Sequence, residues 1–350
     1  MLGSRWSVIL LSIVISGCAR KVAPATESLK RVPVSESAPR ITPAKMSELV
    51  EQATHALEAG NAEGSLEILN ESLAADPLNR AALLLKSRAL QRKAGEVSRP
   101  VSSPLFLESA RAIRQLAQAY PNLTDPERRF EANVFYNESC TLALDGELES
   151  AVKSLSQSFE AGFDDLSLLD SDPELDSLRK LPEFHALQRS VERKNAESII
   201  ANMKPFAFDF QLPTLEGKQV KLADFKGKFV VVDFWGTWCP PSRKLIPHLA
   251  ELADRHKDEG LAVIGLAFEN DSGVAARQAI GAFVKDNHAG YPCLIGDDPT
   301  RNKVPRFEGY PTTLFINRAG KVKARLTGYQ SRLTLESVFE AVRRAEKPPG

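Results

Sequence analysis

Four textures of apolar and polar positions follow one another along the chain. Residues 6–15, WSVILLSIVI, form an apolar run behind Arg5. A helix needs roughly 20 such residues to cross a bilayer, so this run predicts the core of a signal peptide over residues 1–17. Residues 18–43 have almost no apolar periodicity and carry Pro24, Pro33, Pro39 and Pro43, which is the composition of a flexible tether. Over residues 44–201 apolar positions recur at helical spacing, punctuated by Gly60, Gly95 and Gly146, and predict an all-α domain. Over residues 202–346 the period changes. A buried strand at Phe229–Trp235 is followed by a helix from Pro241, a second apolar strand from Leu261 and a helix from Val274. Short strands in YPCLIG and TTLFIN, a turn at RAGK into VKARLTG and a last helix from Leu333 close the pattern. That order implies an α/β domain with a central mixed sheet and helices on both faces. Residues 347–350 are left as a tail.

Composition narrows the function classes. The 350 residues suffice for two domains with sizeable cores. Lys plus Arg equals Asp plus Glu at 45 each, so no global charge argues for nucleic acid. The four cysteines, Cys18, Cys140, Cys239 and Cys293, are too widely spaced for a disulfide framework or a clustered zinc site. No two of the five histidines sit at metal-ligand spacing. Neither a metal nor a cofactor is expected. His248 and His256 fall in one charged helix and read as solvated surface residues, and Cys140 reads as a small core thiol.

Two resemblances organise the first half. The apolar run ends in ISGC, which resembles the bacterial lipobox. That resemblance implies cleavage before Cys18, lipid attachment to it, and a mature chain held to a membrane of the bacterial cell envelope, facing the periplasm. Ala19 in place of an aspartate points to the outer membrane; an ordinary secretory signal is the alternative. Within residues 44–201, GNAEGSLEILNESLAADPLN from Gly60 and YNESCTLALDGELESAVKSLSQSFEAGF from Tyr136 resemble parts of tetratricopeptide repeats, with GEVSRPVSSP inserted between them. Small residues such as Ala53, Ser65 and Ala151 would let paired helices approach closely while Leu66, Leu69, Val152 and Leu155 fill the seam. About three such pairs make a self-supporting stack. Its role is either a concave docking surface for protein partners or a spacer.

The candidate chemistry lies at Cys239, placed just after a strand and at the start of a helix, where the helix N-terminus favours negative charge. Pro240 and Pro241 suit a first helical turn but carry no N–H. Around it, WGTWCPPS, with Asp233 six residues before the cysteine and Pro247 eight after, resembles the thioredoxin fold, most closely thiol-disulfide oxidoreductases of the TlpA and ResA type. FDFQLPTLEGKQVKLADFKGKFVVVDFW and GYPTTLFINRAGKV extend the resemblance over about residues 205–345. It implies that Cys239 attacks a partner disulfide, that Pro311 is a cis-proline facing it, and that Asp233 is a buried carboxylate that relays protons. It further implies that Trp235 and Trp238 shape the rim, and that Pro240, Tyr310 and Thr312 complete the substrate groove.

Ser242 departs from the pattern. The family holds its resolving cysteine there, and a hydroxyl forms no S–S bond. Three readings stay open. The first is a monothiol enzyme making mixed disulfides with cysteine-containing envelope proteins or a low-molecular-weight thiol, suited to isomerisation. The second is a thioredoxin-fold binding module with little turnover. The third has Cys293 resolve Cys239 from a distance, although YPCLIGD around it reads as a buried strand. A peroxiredoxin would carry threonine and proline where this chain has Gly236 and Val232.

Overall fold

The computed structural model describes residues 41–270, 273–287 and 289–346; the signal peptide, Cys18, most of the tether and the tail lie outside the described residues. The chain divides into two compact units, one running up to Asp164 and including Glu174–Leu178, the other made of Asp165–Pro173 and the chain from Arg179 onward.

The first unit holds α1 (Pro43–Glu58), α2 (Ala62–Ala75), α3 (Arg80–Glu96), α4 (Ser102–Ala119), α5 (Asp125–Leu144) and α6 (Leu148–Glu160). Side chains of Thr42, Asn61, Asn79 and Thr124 cap four of these helices by accepting a backbone N–H three residues on, and Thr124 with Glu127 completes a capping box. The helices pack as three consecutive pairs, α1 with α2, α3 with α4 and α5 with α6.

One contact recurs in each pair. Ser65 Oγ donates to the Ala53 carbonyl at 2.8 Å, Ser87 Oγ meets Ser109 Oγ at 2.7 Å, and Ser139 Oγ donates to the Ala151 carbonyl at 2.9 Å. All six residues are fully buried. The partners are 12, 22 and 12 residues apart, and the middle pair is longer because GEVSRPVSSP lies inside it. Small side chains let the two backbones of each pair close up, and a hydroxyl satisfies the carbonyl thus buried.

The second unit contains α7 (Leu168–Ser171), α8 (Pro182–Asn202), β1 (Gln211–Pro213), β2 (Gln219–Lys221), β3 (Phe229–Trp235), α9 (Pro240–His256) and β4 (Leu261–Ala267). It continues with α10 (Val274–Asp286), β5 (Cys293–Ile295), α11 (Asp298–Arg301), β6 (Thr312–Ile316), β7 (Val322–Thr327) and α12 (Arg332–Arg344). Five strands form one sheet in the order β5-β4-β3-β6-β7, while β1 and β2 pair separately. β3, β4 and β5 run parallel, and β6 and β7 are antiparallel to their neighbours. All seven residues of the central β3 are buried, as expected of a strand covered on both faces. Phe229, Val231 and Trp235 meet Leu245 and Leu249 of α9, Ile280 of α10 and Val338 and Phe339 of α12. Val230, Val232 and Phe234 meet Phe208, Phe210, Leu212 and Val304 on the other face.

Helical periodicity groups α8 with the repeats, yet α8 packs along α12. Ala196, Ile199 and Ile200 join the α9/α12 face of the sheet core. Periodicity reports that a stripe is buried, not which unit buries it. Within this contact Glu192 is 2% exposed. Its Oε1 accepts from Thr334 Oγ1 at 2.9 Å, and its Oε2 has no hydrogen-bond partner among the described residues. Burial pushes its carboxyl up to about 7, with Asp170 of α7 adding to the rise and the Thr334 bond opposing it. A carboxyl whose folded value lies above its unfolded value of 4.5 binds more protons when folded, so its contribution is full below that value and is lost as pH rises through about 7. Glu192→Gln should flatten that part of the stability profile, checked by thermal melts of both proteins at intervals from pH 5 to 8.

His256 also departs from the sequence reading. It is 4% exposed rather than solvated, with Nδ1 2.9 Å from Glu259 Oε1 and Nε2 2.5 Å from Glu336 Oε1. Leu245, Leu249, Leu252 and His256 share one helical stripe, which is the signal that places it inside. Donor atoms of His256, Glu336 and Glu340 lie within 4.8 Å of one another. Arg255 already pairs with Glu336, and Arg343 pairs with Glu340 and Glu259, so the cluster is an ion-pair network tying α9 to α12.

Candidate active site

Cys239 is the N-cap of α9, with φ −97° and ψ 107°, and Pro240 and Pro241 follow it in the first turn. The fixed φ of proline suits that turn and its missing N–H costs nothing there. Pro247 lies inside the same helix. The thiol is 6% exposed, and its Sγ donates to the Tyr310 carbonyl at 3.4 Å. The Tyr310–Pro311 peptide is cis, and Gly328 N–H donates to the Pro311 carbonyl at 2.8 Å, which fixes the proline at the head of β6.

Ser242, one helical turn after the thiol, is fully buried, and its Oγ has no hydrogen-bond partner among the described residues. Trp238 is 45% exposed; its ring stands edge-on to Tyr310 at 5.5 Å, and its Nε1–H donates to the Phe268 carbonyl at 2.8 Å. Pro240 is exposed beside the thiol.

Trp235 corrects the expectation of a second rim tryptophan. It is fully buried beneath the sheet face, against Phe283 at 5.5 Å. In a strand covered on both faces alternation no longer separates inside from outside, so a tryptophan four residues before the thiol can belong wholly to the core. Thr312 is likewise buried, with its hydroxyl turned back to donate to the Gly309 carbonyl at 2.6 Å, so its side chain does not line a groove.

One registered row of residues crosses the sheet: Thr313 on β6, Asp233 on β3, Gly265 on β4 and Cys293 on β5. Asp233 is fully buried. Thr313 Oγ1 donates to its Oδ1 at 2.9 Å, and Oδ2 has no hydrogen-bond partner among the described residues. Burial pushes the Asp233 carboxyl up to about 8 against the Thr313 bond. Gly265 leaves room for its neighbours: a Cβ there would lie 2.7 Å from Trp235 Nε1 and 3.0 Å from Cys293 Sγ. Cys293 is 7% exposed, and burial, then Asp233, pushes its thiol up to about 12. Tyr291 is raised well above its ordinary value, by burial first. Cys293 is therefore a protonated core thiol at neutral pH, which argues against its resolving Cys239. Thr313 and Glu269, whose carboxylate accepts from Thr237 N–H and Oγ1–H at 2.8 and 2.7 Å, escaped the sequence reading; strand register and the end of β4 bring them in.

A helix-capping cysteine beside a cis-proline at the end of a mixed sheet, with a buried aspartate in the strand that leads to it, defines a thioredoxin-type thiol redox site. Residues 204–325 match the AhpC/TSA family. Over 135 residues the chain is 35% identical to the thiol-disulfide oxidoreductase ResA of Bacillus thuringiensis subsp. konkukian, covering 38% of this chain and 75% of that protein. Over 138 residues it is 28% identical to ResA of Bacillus subtilis, covering 39% and 74%. A solved thiol:disulfide interchange protein of the thioredoxin family from Chlorobium tepidum is 25% identical, with a TM-score of 0.36, covering 40% of this chain and 99% of that one. The chain belongs to the ResA family of thiol-disulfide oxidoreductases.

Proposed function

We propose that this protein captures partner disulfides through Cys239 alone and depends on a thiol from outside its own motif for release. The observation that carries this reading is the pairing of an N-cap cysteine beside cis-Pro311 with a buried serine, Ser242, one turn on. Cys239 loses its proton and its sulfur attacks one sulfur of a partner disulfide. The partner's S–S bond breaks, a Cys239–partner S–S bond forms, and the departing thiolate takes up a proton. Asp233, with a carboxyl held up to about 8, can give or take a proton near neutral pH. Release needs a second thiolate to attack the mixed disulfide. When that thiolate belongs to the partner itself, the net result is isomerisation with no change in redox state.

The substrates on this reading are disulfides of cysteine-containing envelope proteins, including mixed disulfides with a low-molecular-weight thiol. Lipid on Cys18 and the Pro-rich tether would hold the site at a membrane, facing the periplasm and favouring the outer one, while the tetratricopeptide-like helix pairs dock protein partners. A second reading, a binding module with little turnover, draws on the low exposure of Cys239, 6%, and the engagement of its Sγ by Tyr310. Non-reducing gels of cells carrying the full chain separate the two. The first reading expects Cys239-dependent mixed disulfides that vanish in Cys239→Ser, and binding that survives that substitution unchanged would support the second.

A further inference from the structure

We propose that Glu269 is a positioning residue for Cys239 and that its charge turns the site against anionic partners; this deepens the reading of Cys239 as the attacking thiol and rests on it. The loop between β3 and α9, Gly236 to Cys239, is short and has few donors to spare, because Pro240 and Pro241 after it have no N–H. Cys239 N–H is used within the loop, donating to the Gly236 carbonyl at 3.1 Å. Besides the Cys239 Sγ bond to the Tyr310 carbonyl, the loop is anchored by two residues just past β4. Thr237 gives its backbone N–H to Glu269 Oε1 and its hydroxyl to Oε2, at 2.8 and 2.7 Å. Trp238 Nε1–H donates to the Phe268 carbonyl at 2.8 Å, and Phe268 N–H donates to the Trp235 carbonyl at 2.7 Å. The fit is close, since a Cβ on Gly236 would lie 2.5 Å from Trp238 Nε1 and 2.7 Å from the Phe268 carbonyl oxygen.

Glu269 thus closes both donors of the residue two before the thiol with one carboxylate, and hydrogen bonds to a charged acceptor are the stronger kind. Among the described residues no lysine or arginine forms an ion pair with Glu269. Its carboxylate is half-buried beside the loop. A partner bringing negative charge to Cys239 meets that charge, and a neutral or cationic one does not.

The test uses the full reduced chain. Modification of Cys239 by neutral iodoacetamide and anionic iodoacetate is timed by peptide mapping in wild type, Glu269→Ala, Glu269→Gln and Thr237→Val, with melting curves confirming that each is folded. Glu269→Ala should slow iodoacetamide by about tenfold, because small displacements of a reacting group are costly, and Thr237→Val by less. Glu269→Gln keeps an acceptor for Thr237 N–H and should recover most of that loss. It should also raise the iodoacetate-to-iodoacetamide ratio roughly threefold, the size expected for one charge at the edge of a site. Equal rates in wild type and Glu269→Ala, or a ratio unmoved in Glu269→Gln, would overturn the proposal. If wild-type Cys239 alkylates but never forms a mixed disulfide, the monothiol reading fails while these ratios still decide the role of Glu269.

Discussion

Ser242→Cys is expected to give this protein a dithiol cycle, with release from within its own motif, that the native chain lacks. A thiol at position 242 would attack the Cys239–partner disulfide at the Cys239 sulfur, forming an S–S bond within the motif and releasing the partner as a thiol. The native hydroxyl cannot take that step. The surroundings favour the exchange: Ser242 is fully buried and its Oγ lacks a hydrogen-bond partner among the described residues, and an unsatisfied buried hydroxyl costs roughly 1–3 kcal/mol. A thiol makes a smaller demand for hydrogen bonds, so the reduced variant should also melt higher than wild type. In an insulin-reduction assay driven by dithiothreitol, wild type should turn over only as fast as dithiothreitol frees the Cys239 adduct, and Ser242→Cys, which frees it from within the motif, should be well above it. No gain in a folded variant would mean that partners do not reach Cys239.

Asp233→Asn is expected to remove the largest pH dependence of stability in the second unit. The folded carboxyl stands at about 8 and the ordinary value is 3.8, so between those values the folded state holds the extra proton. Stability from this group is complete below 3.8 and falls as pH rises, by at most roughly 1.4 kcal/mol per pH unit, levelling off above about 8. Glu192 acts in the same direction over a narrower range. The amide introduced by Asp233→Asn would remain neutral at every pH and can still accept the Thr313 hydroxyl hydrogen bond. Denaturant midpoints measured from pH 5 to 9 should therefore fall for wild type and be much flatter for Asp233→Asn. Parallel profiles would show that Asp233 is ionised in the folded state across that range. The same substitution should slow exchange at Cys239 near neutral pH, where the wild-type carboxyl can both give and take a proton.

What the sequence revealed depended on how local each feature is. The order of strands and helices after residue 202 follows from apolar period and turn residues. Cys239 at a helix start and the cis peptide before Pro311 are likewise set by short motifs. Trp235 misled because β3 is covered on both faces, which erases the alternation that would have sent it inward. His256 lay in plain view on the stripe of Leu245, Leu249 and Leu252, outweighed by the charged residues around it. Thr313 and Glu269 could not be found this way. Each is about 30 to 80 residues from the group it serves, and the sheet brings them together across strands. For α8 the helical pattern was correct and silent about its partner, because the stripe that packs on α12 looks like any other apolar stripe.

The most direct test is the intact mass of the reduced full chain after reaction with one equivalent of a disulfide-bonded protein substrate. Wild type should carry one partner on Cys239 until a second thiolate, the partner's own or an added one, attacks the mixed disulfide, and Cys239→Ser should form no adduct at all. An internal disulfide between Cys239 and Cys293, with the partner released as a dithiol, would contradict capture by a single cysteine.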